Sequence, residues 1–275
     1  MTTAQANGIN IEFETFGQSE QPTVLLIMGL GAQMTNWDPK LCQAIADLGF
    51  YVIRYDNRDV GLSTWFDEAG ACYSIGDMAD DAAGLLDYLD IETAHIVGAS
   101  MGGMIAQAFA IKYPKRTRTL TSIMSTTGDQ TVGQPRPEAI VVLMVLPPTS
   151  RDEAIEQSVA LWRTIGSPGF AFDEQMVRER AGASYDRAFH PSGTGRQLVA
   201  VMTQPDRTTE LGQLLMPVLV IHGEEDPLVD VSGGRATAAA IAGSQLKLIP
   251  GMGHNLPPEL FDEFASDLAK HFSTI

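Results

Sequence analysis

The chain has 275 residues, 44% of them hydrophobic, and a mean hydropathy of zero, an ordinary globular balance with length for one core and a sizeable insertion. Its 34 acidic residues against 18 basic ones leave a net charge of −16, a surface that repels phosphate backbones and argues against nucleic acid as a partner. Two cysteines, Cys42 and Cys72, are too few for a disulfide framework and sit in no metal-ligand spacing. The polar stretch Met1 to Gly8 has no basic segment followed by an apolar run, and no apolar stretch approaches a membrane span. The expectation is a soluble cytoplasmic protein without a membrane partner.

In chain order, Gly8 to Phe16 alternates, with Ile9, Ile11 and Phe13 against Asn10, Glu12 and Glu14, and this predicts an antiparallel edge strand. Short, nearly all-apolar runs follow at Val24 to Met28, Tyr51 to Ile53, His95 to Val97, Leu120 to Met124, Val218 to Ile221 and Leu246 to Ile249. Runs of this kind suit strands covered on both faces, as in a mostly parallel α/β sheet flanked by helices. Between them, Ser74 with Asp77 spells a capping box. The helix it opens carries Ile75, Met78, Ala82, Leu85, Leu86 and Leu89 on one stripe. Met101 to Tyr113 is apolar nearly all round and stops at Pro114, the pattern of a central helix. Cys42 falls on the inner side of an earlier helix, and the last helix runs from about Pro258 to Phe272. The alternation breaks over residues 128–211, which read as several short helices, one opened by Ser150 with Glu153. A core of residues 1–127 and 212–275 with a helical cap over the sheet's carboxyl edge follows, since ligands bind open α/β sheets at that edge.

The strongest local signal is Gly98-Ala99-Ser100-Met101-Gly102. It lies between a predicted strand and the central helix, which is the setting of a nucleophile elbow. The two glycines keep side chains out of a turn too tight for them, and Ser100 is presented at a helix N-terminus that favours negative charge. A serine needs a base within hydrogen-bond reach. Among five histidines, His95 is within a strand, His190 is in the insertion, His222 ends a strand and His271 is on the last helix. His254, in Pro250-Gly251-Met252-Gly253-His254, sits on a turn after the last apolar strand and is the candidate base. An orienting carboxylate is then required. Asp226, after the strand Val218 to Ile221, is preferred to Asp129 because the order Ser, Asp, His is the order of this elbow-bearing fold. For the oxyanion, the candidate donors are the backbone N–H groups of Met101 and of Leu30 in Gly29-Leu30-Gly31.

These stretches resemble the α/β-hydrolase superfamily, in the branch of small carboxylesterases, cofactor-free haloperoxidase-like enzymes and aclacinomycin methylesterase. The likeness rests on Val24 to Gly29, on Val52 to Gly61, on the elbow around Ser100 and on Ile249 to His254. It implies Ser100, Asp226 and His254 as triad, Leu30 and Met101 as oxyanion donors, and a structural rather than catalytic loop from Asp56 to Ser63. One departure stands out. Many relatives have histidine before the oxyanion glycine, and here that residue is Met28. The implied activity is hydrolysis of carboxylic esters of small to medium apolar acids through an acyl-enzyme, with a small-molecule ester as partner and no metal or organic cofactor. Carbon–carbon bond hydrolysis, lactone opening and perhydrolysis use the same triad, and a low-turnover ligand receptor is the reading from another class. Trp37, Met144 and Trp162 are the candidates for lining an apolar acyl pocket, and the sequence leaves the oligomeric state open.

Overall fold

The computed structural model describes residues 2–68, 70 and 72–274; Met1, the first residue of the polar N-terminal stretch, lies outside them. Eight strands form one sheet: β1 (Thr2–Ala6), β2 (Ile9–Phe16), β3 (Thr23–Ile27), β4 (Tyr51–Tyr55), β5 (Ala94–Ala99), β6 (Thr117–Ile123), β7 (Val218–Gly223) and β8 (Gln245–Ile249). Their order is β1-β2-β4-β3-β5-β6-β7-β8. The β1/β2 and β2/β4 pairs are antiparallel and every later pair is parallel. The central strands β3 and β5 are buried at every position, as their apolar runs require when helices cover both faces.

The sheet departs from the sequence-based expectation at both ends. Gly8 to Phe16 is not the edge, because β1 lies outside it. β1 escapes hydropathy patterning because its inward side chains are only Ala4 and Ala6, both buried. β8, expected to be covered on both faces, is instead the other edge, with Leu246 39% exposed.

Helices α1 (Pro39–Asp47) and α10 (Phe261–Phe272) pack together on one face of the sheet, and α2 (Ile75–Tyr88) and α3 (Met101–Lys112) on the other. The capping box of α2 forms as predicted: Ser74 Oγ accepts from the Asp77 N–H, and the Asp77 carboxylate accepts from the Ser74 N–H. Cys42 is buried on α1, and burial pushes its thiol up to about 12. Between β6 and β7 stand only helices: α4 (Pro137–Leu143), α5 (Arg151–Ile165), α6 (Glu174–Arg187), α7 (Pro191–Met202) and α8 (Thr208–Leu211). A last helix, α9 (Ser232–Ala240), joins β7 to β8.

The loop after β4 is a platform of buried charge. Asp56 accepts from the Met34 N–H (2.7 Å) and the Leu62 N–H (2.9 Å), and pairs with Arg187 of α6 (2.7 Å). Asp59 accepts from Arg196 of α7 at 2.7 and 2.8 Å. Arg58 turns the other way, to Asp81 of α2 at 2.6 and 2.7 Å, with Asn7 completing the carboxylate's partners at 2.8 Å. The loop therefore docks the helical insertion on one side and α2 on the other. Asp81 is 2% and Arg58 7% exposed, so Asp81→Ala leaves an uncompensated guanidinium in the interior. Its expected cost is about 3–5 kcal/mol, read as a fall in the urea midpoint with an unchanged slope.

Candidate active site

Ser100 stands at the junction of β5 and α3 with φ +58° and ψ −124°, a conformation that L-residues adopt only under constraint. The constraints are visible. The Ser100 N–H donates to the Ile123 carbonyl of β6 (2.8 Å), and the Ser125 hydroxyl donates to the Ser100 carbonyl (2.9 Å). A Cβ at residue 98 would lie 1.9 Å from the Gly102 carbonyl oxygen, and one at residue 102 would lie 2.1 Å from that of Ile27. The glycine spacing read from the sequence is thus what lets α3 start so close to β5 and β3. The helix's first turn leaves the Met101 N–H without an intrahelical partner.

Two further loops meet Ser100 at the carboxyl end of the sheet. After β8, His254 brings Nε2 to 2.9 Å from Ser100 Oγ and Nδ1 to 2.7 Å from Asp226 Oδ2. A carboxylate only accepts, so Nδ1 carries the proton and donates to Asp226, which leaves Nε2 free to accept from the serine hydroxyl. After β7, Asp226 is wholly buried, and its Oδ1 accepts from the Leu228 and Val229 N–H groups, both at 2.9 Å. His222 donates to the Val229 carbonyl at 2.8 Å and lies 3.6 Å from Asp226 Oδ2. Burial by itself opposes a charge at Asp226. The electrostatic attraction of the facing His254, the nearby His222 and the hydrogen bond from His254 outweigh it and hold the carboxyl well below the usual carboxylate range. Asp129, the rival acid, instead accepts from the N–H and hydroxyl of Thr131, each at 2.8 Å.

The loop after β3 comes equally close: a Cβ on Gly29 would sit 3.0 Å from Ser100 Cβ and 3.4 Å from its Oγ. Leu30 follows directly and is half-buried. Met28 offers no side-chain brace for this loop, but its carbonyl accepts from Asn57 Nδ2 at 2.9 Å.

Of the residues expected to line a pocket, Trp37 is wholly buried in the core around α1, and Met144, at the end of α4, is 71% exposed. Trp162 is half-buried on α5. Sequence reasoning also passed over Ser167. Its hydroxyl accepts from the Gly253 N–H (2.8 Å) and donates to Asn255 Oδ1 (2.7 Å), while the His254 N–H donates to the Ile165 carbonyl (2.7 Å). The histidine loop is therefore laced to the end of α5. No local pattern marks a lone serine after a helix for that role.

A family model described as the alpha/beta hydrolase fold matches residues 22–259. The chain belongs to this family. Rhodomycin D methylesterase DauP of Streptomyces sp. (strain C5) is 30% identical over 281 residues, covering 94% of this chain and 93% of that protein. 3-Oxoadipate enol-lactonase 2 of Acinetobacter baylyi is 27% identical over 276 residues, covering 98% and 97%. Among solved structures, an enol-lactonase from Burkholderia xenovorans LB400 superposes with a TM-score of 0.79 at 22% identity, over 99% of this chain and 100% of that one; this likeness bears on the fold. The methylesterase relative agrees with the branch that the sequence motifs resemble.

Two stability measurements test the α/β-hydrolase elbow and its acid. Ser100→Gly relieves the backbone strain that Ser100→Ala retains, so the glycine variant is expected to be the more stable of the two by about 1–2 kcal/mol in urea melts. A carboxyl whose folded pKa is depressed stabilises fully above its unfolded pKa, about 4, and loses that stabilisation as pH falls through the folded value. Asp226→Asn should accordingly lose less stability than the parent between pH 5 and pH 2.5.

Proposed function

We propose that the protein is a serine hydrolase of carboxylic esters, with Ser100 as nucleophile, His254 as general base and then acid, Asp226 as the orienting carboxylate, and the Leu30 and Met101 N–H groups as oxyanion donors. The observation that carries the reading is the continuous chain Ser100 Oγ, His254 Nε2, His254 Nδ1, Asp226 Oδ2, with links of 2.9 and 2.7 Å. In the first half-reaction His254 Nε2 takes the serine proton as Oγ bonds to the ester carbonyl carbon. The carbonyl oxygen becomes an oxyanion facing the two N–H groups. As the tetrahedral intermediate collapses, the proton on Nε2 passes to the leaving alcohol and an acyl-serine remains. Water, losing its proton to Nε2, repeats the steps and releases the acid. Asp226, kept ionised by its surroundings, stabilises the imidazolium that forms between the two transfers.

The helices of residues 128–211 serve in this reading as a cap, because α6 and α7 dock on the loops after β3 and β4 and the end of α5 binds the histidine loop. Trp162, half-buried on α5, is the first of the three candidates to test for the acyl pocket. The methylesterase relatives favour a small alcohol, methyl foremost, leaving from an apolar acid. A lactone is an internal ester opened by the same steps, and the enol-lactonase relative makes lactones the second class to assay.

The test is a panel of methyl, nitrophenyl and lactone substrates together with a serine-directed phosphonate located by peptide mass spectrometry. Expected are hydrolysis of short acyl esters, a phosphonate adduct on Ser100, and loss of roughly 10⁴–10⁶ in kcat for Ser100→Ala or His254→Ala, with a loss of about 10⁴ for Asp226→Asn. Turnover by Ser100→Ala at the parental rate, or an adduct on another residue, would overturn the assignment. A tight ligand with neither turnover nor adduct would favour a receptor.

A further inference from the structure

Gly29 to Ala32 forms a β-turn closed by the Ala32 N–H on the Gly29 carbonyl (3.3 Å), with Gly31 at φ +65° in its third position. This is the type II arrangement, which requires a positive φ there. Type II and type I turns differ by a flip of the central peptide, here the one joining Leu30 to Gly31. The flip exchanges the directions of the Leu30 carbonyl and the Gly31 N–H. In the structure that N–H donates to Gln197 Oε1 at 2.8 Å, across from α7 of the helical insertion. The other end of the same amide is also committed, with Gln197 Nε2 donating to the Arg58 carbonyl at 2.8 Å. Gln197 is wholly buried. Thr194, one turn earlier on α7, fills the space where a side chain on residue 31 would begin, 2.9 Å from that point.

We infer that Gln197 is a positioning residue for the oxyanion turn: by pinning the Leu30–Gly31 peptide it anchors the far end of the turn, and so limits the movement of the adjoining Gly29–Leu30 peptide, which carries the Leu30 N–H beside Ser100. The inference rests on the serine-hydrolase reading and goes beyond it in giving an insertion residue a part in the rate. Its physical basis is that oxyanion donors accelerate reactions only when they are oriented before charge develops. A turn free to flip would spend part of that advantage on ordering itself. The side of the turn toward β3 is held from the core, by Asn57 on the Met28 carbonyl. The far side is held by the insertion. Met28 offers the loop no side-chain donor, and a neutral buried amide braces it from the other end.

Gln197→Met keeps length and bulk but makes neither bond. Misalignment of one donor costs less than its removal, so kcat on a short-chain ester should fall roughly 10–100-fold, below the 10²–10³ of donor deletion. KM should stay within about 3-fold, and phosphonate inactivation should slow by the same factor as kcat, because that reaction also develops an oxyanion. Independently of activity, amide hydrogen exchange at Gly31 should quicken by at least about tenfold when its acceptor is lost. Gln197→Glu is the conservative rescue. Its protonated carboxyl can accept from Gly31 and donate to the Arg58 carbonyl, whereas its ionised form sets a charge against that carbonyl. Its kcat relative to the parent should therefore recover as pH falls. Parental kcat in Gln197→Met, a rise in KM at unchanged kcat, or unchanged Gly31 exchange would each overturn the inference. A parent that cleaves no ester and takes no phosphonate removes the hydrolase reading and the rate effect with it, while the exchange measurement still reports whether Gln197 holds the turn.

Discussion

The turn at Ser100 is the constraint on which the site depends. β5 must pass into α3 within one residue, and the backbone does so at a positive φ that serine adopts at a cost. Such a cost persists only where surrounding structure leaves no alternative. Here α3 is apolar nearly all round and buried along most of its length, so it cannot shift to relax the turn without opening the core on several sides at once. The same close packing puts the carbonyls of Ile27 and Gly102 where no side chain at 102 or 98 could be accommodated. The Ser100 hydroxyl is thus displayed by the rigidity of a helix buried along most of its length.

Around that fixed point, the helical insertion is joined to the loops that meet Ser100 and to the loop after β4 rather than merely laid over them. α6 and α7 reach Asp56 and Asp59 through arginines, α7 reaches Gly31 through Gln197, and the end of α5 reaches the histidine loop through Ile165 and Ser167. Four buried aspartates have close partners. Asp56, Asp59 and Asp81 each face an arginine, and Asp226 faces two histidines and two backbone N–H groups. Buried charge that lacks such partners is expensive, so these pairs also specify where the insertion can dock.

Much of this was legible in the residues themselves. The runs that became β3 to β7 are apolar because both faces are covered, and the stripe on α2 and its capping box are local patterns with local causes. β1 was not legible, because two inward alanines give too little hydropathy contrast. β8 was misread as internal because an apolar run does not say whether a neighbouring strand follows it. The pocket candidates were chosen for apolarity and, for Trp37, for nearness to the oxyanion loop, and neither signal fixes burial: Trp37 lies in the core and Met144 at the surface.

By itself, the sequence determined the order of elements, the glycine-framed turn at Ser100 and the short list of chemically competent side chains, since each depends on neighbours within a few residues. Chain order favoured Asp226 over Asp129, but only the tertiary structure placed it against His254 and decided that Gln197 and Ser167 support the loops. Those pairings join residues from 28 to 166 positions apart. Their geometry is set by how sheet, helices and insertion pack together, which no local pattern encodes.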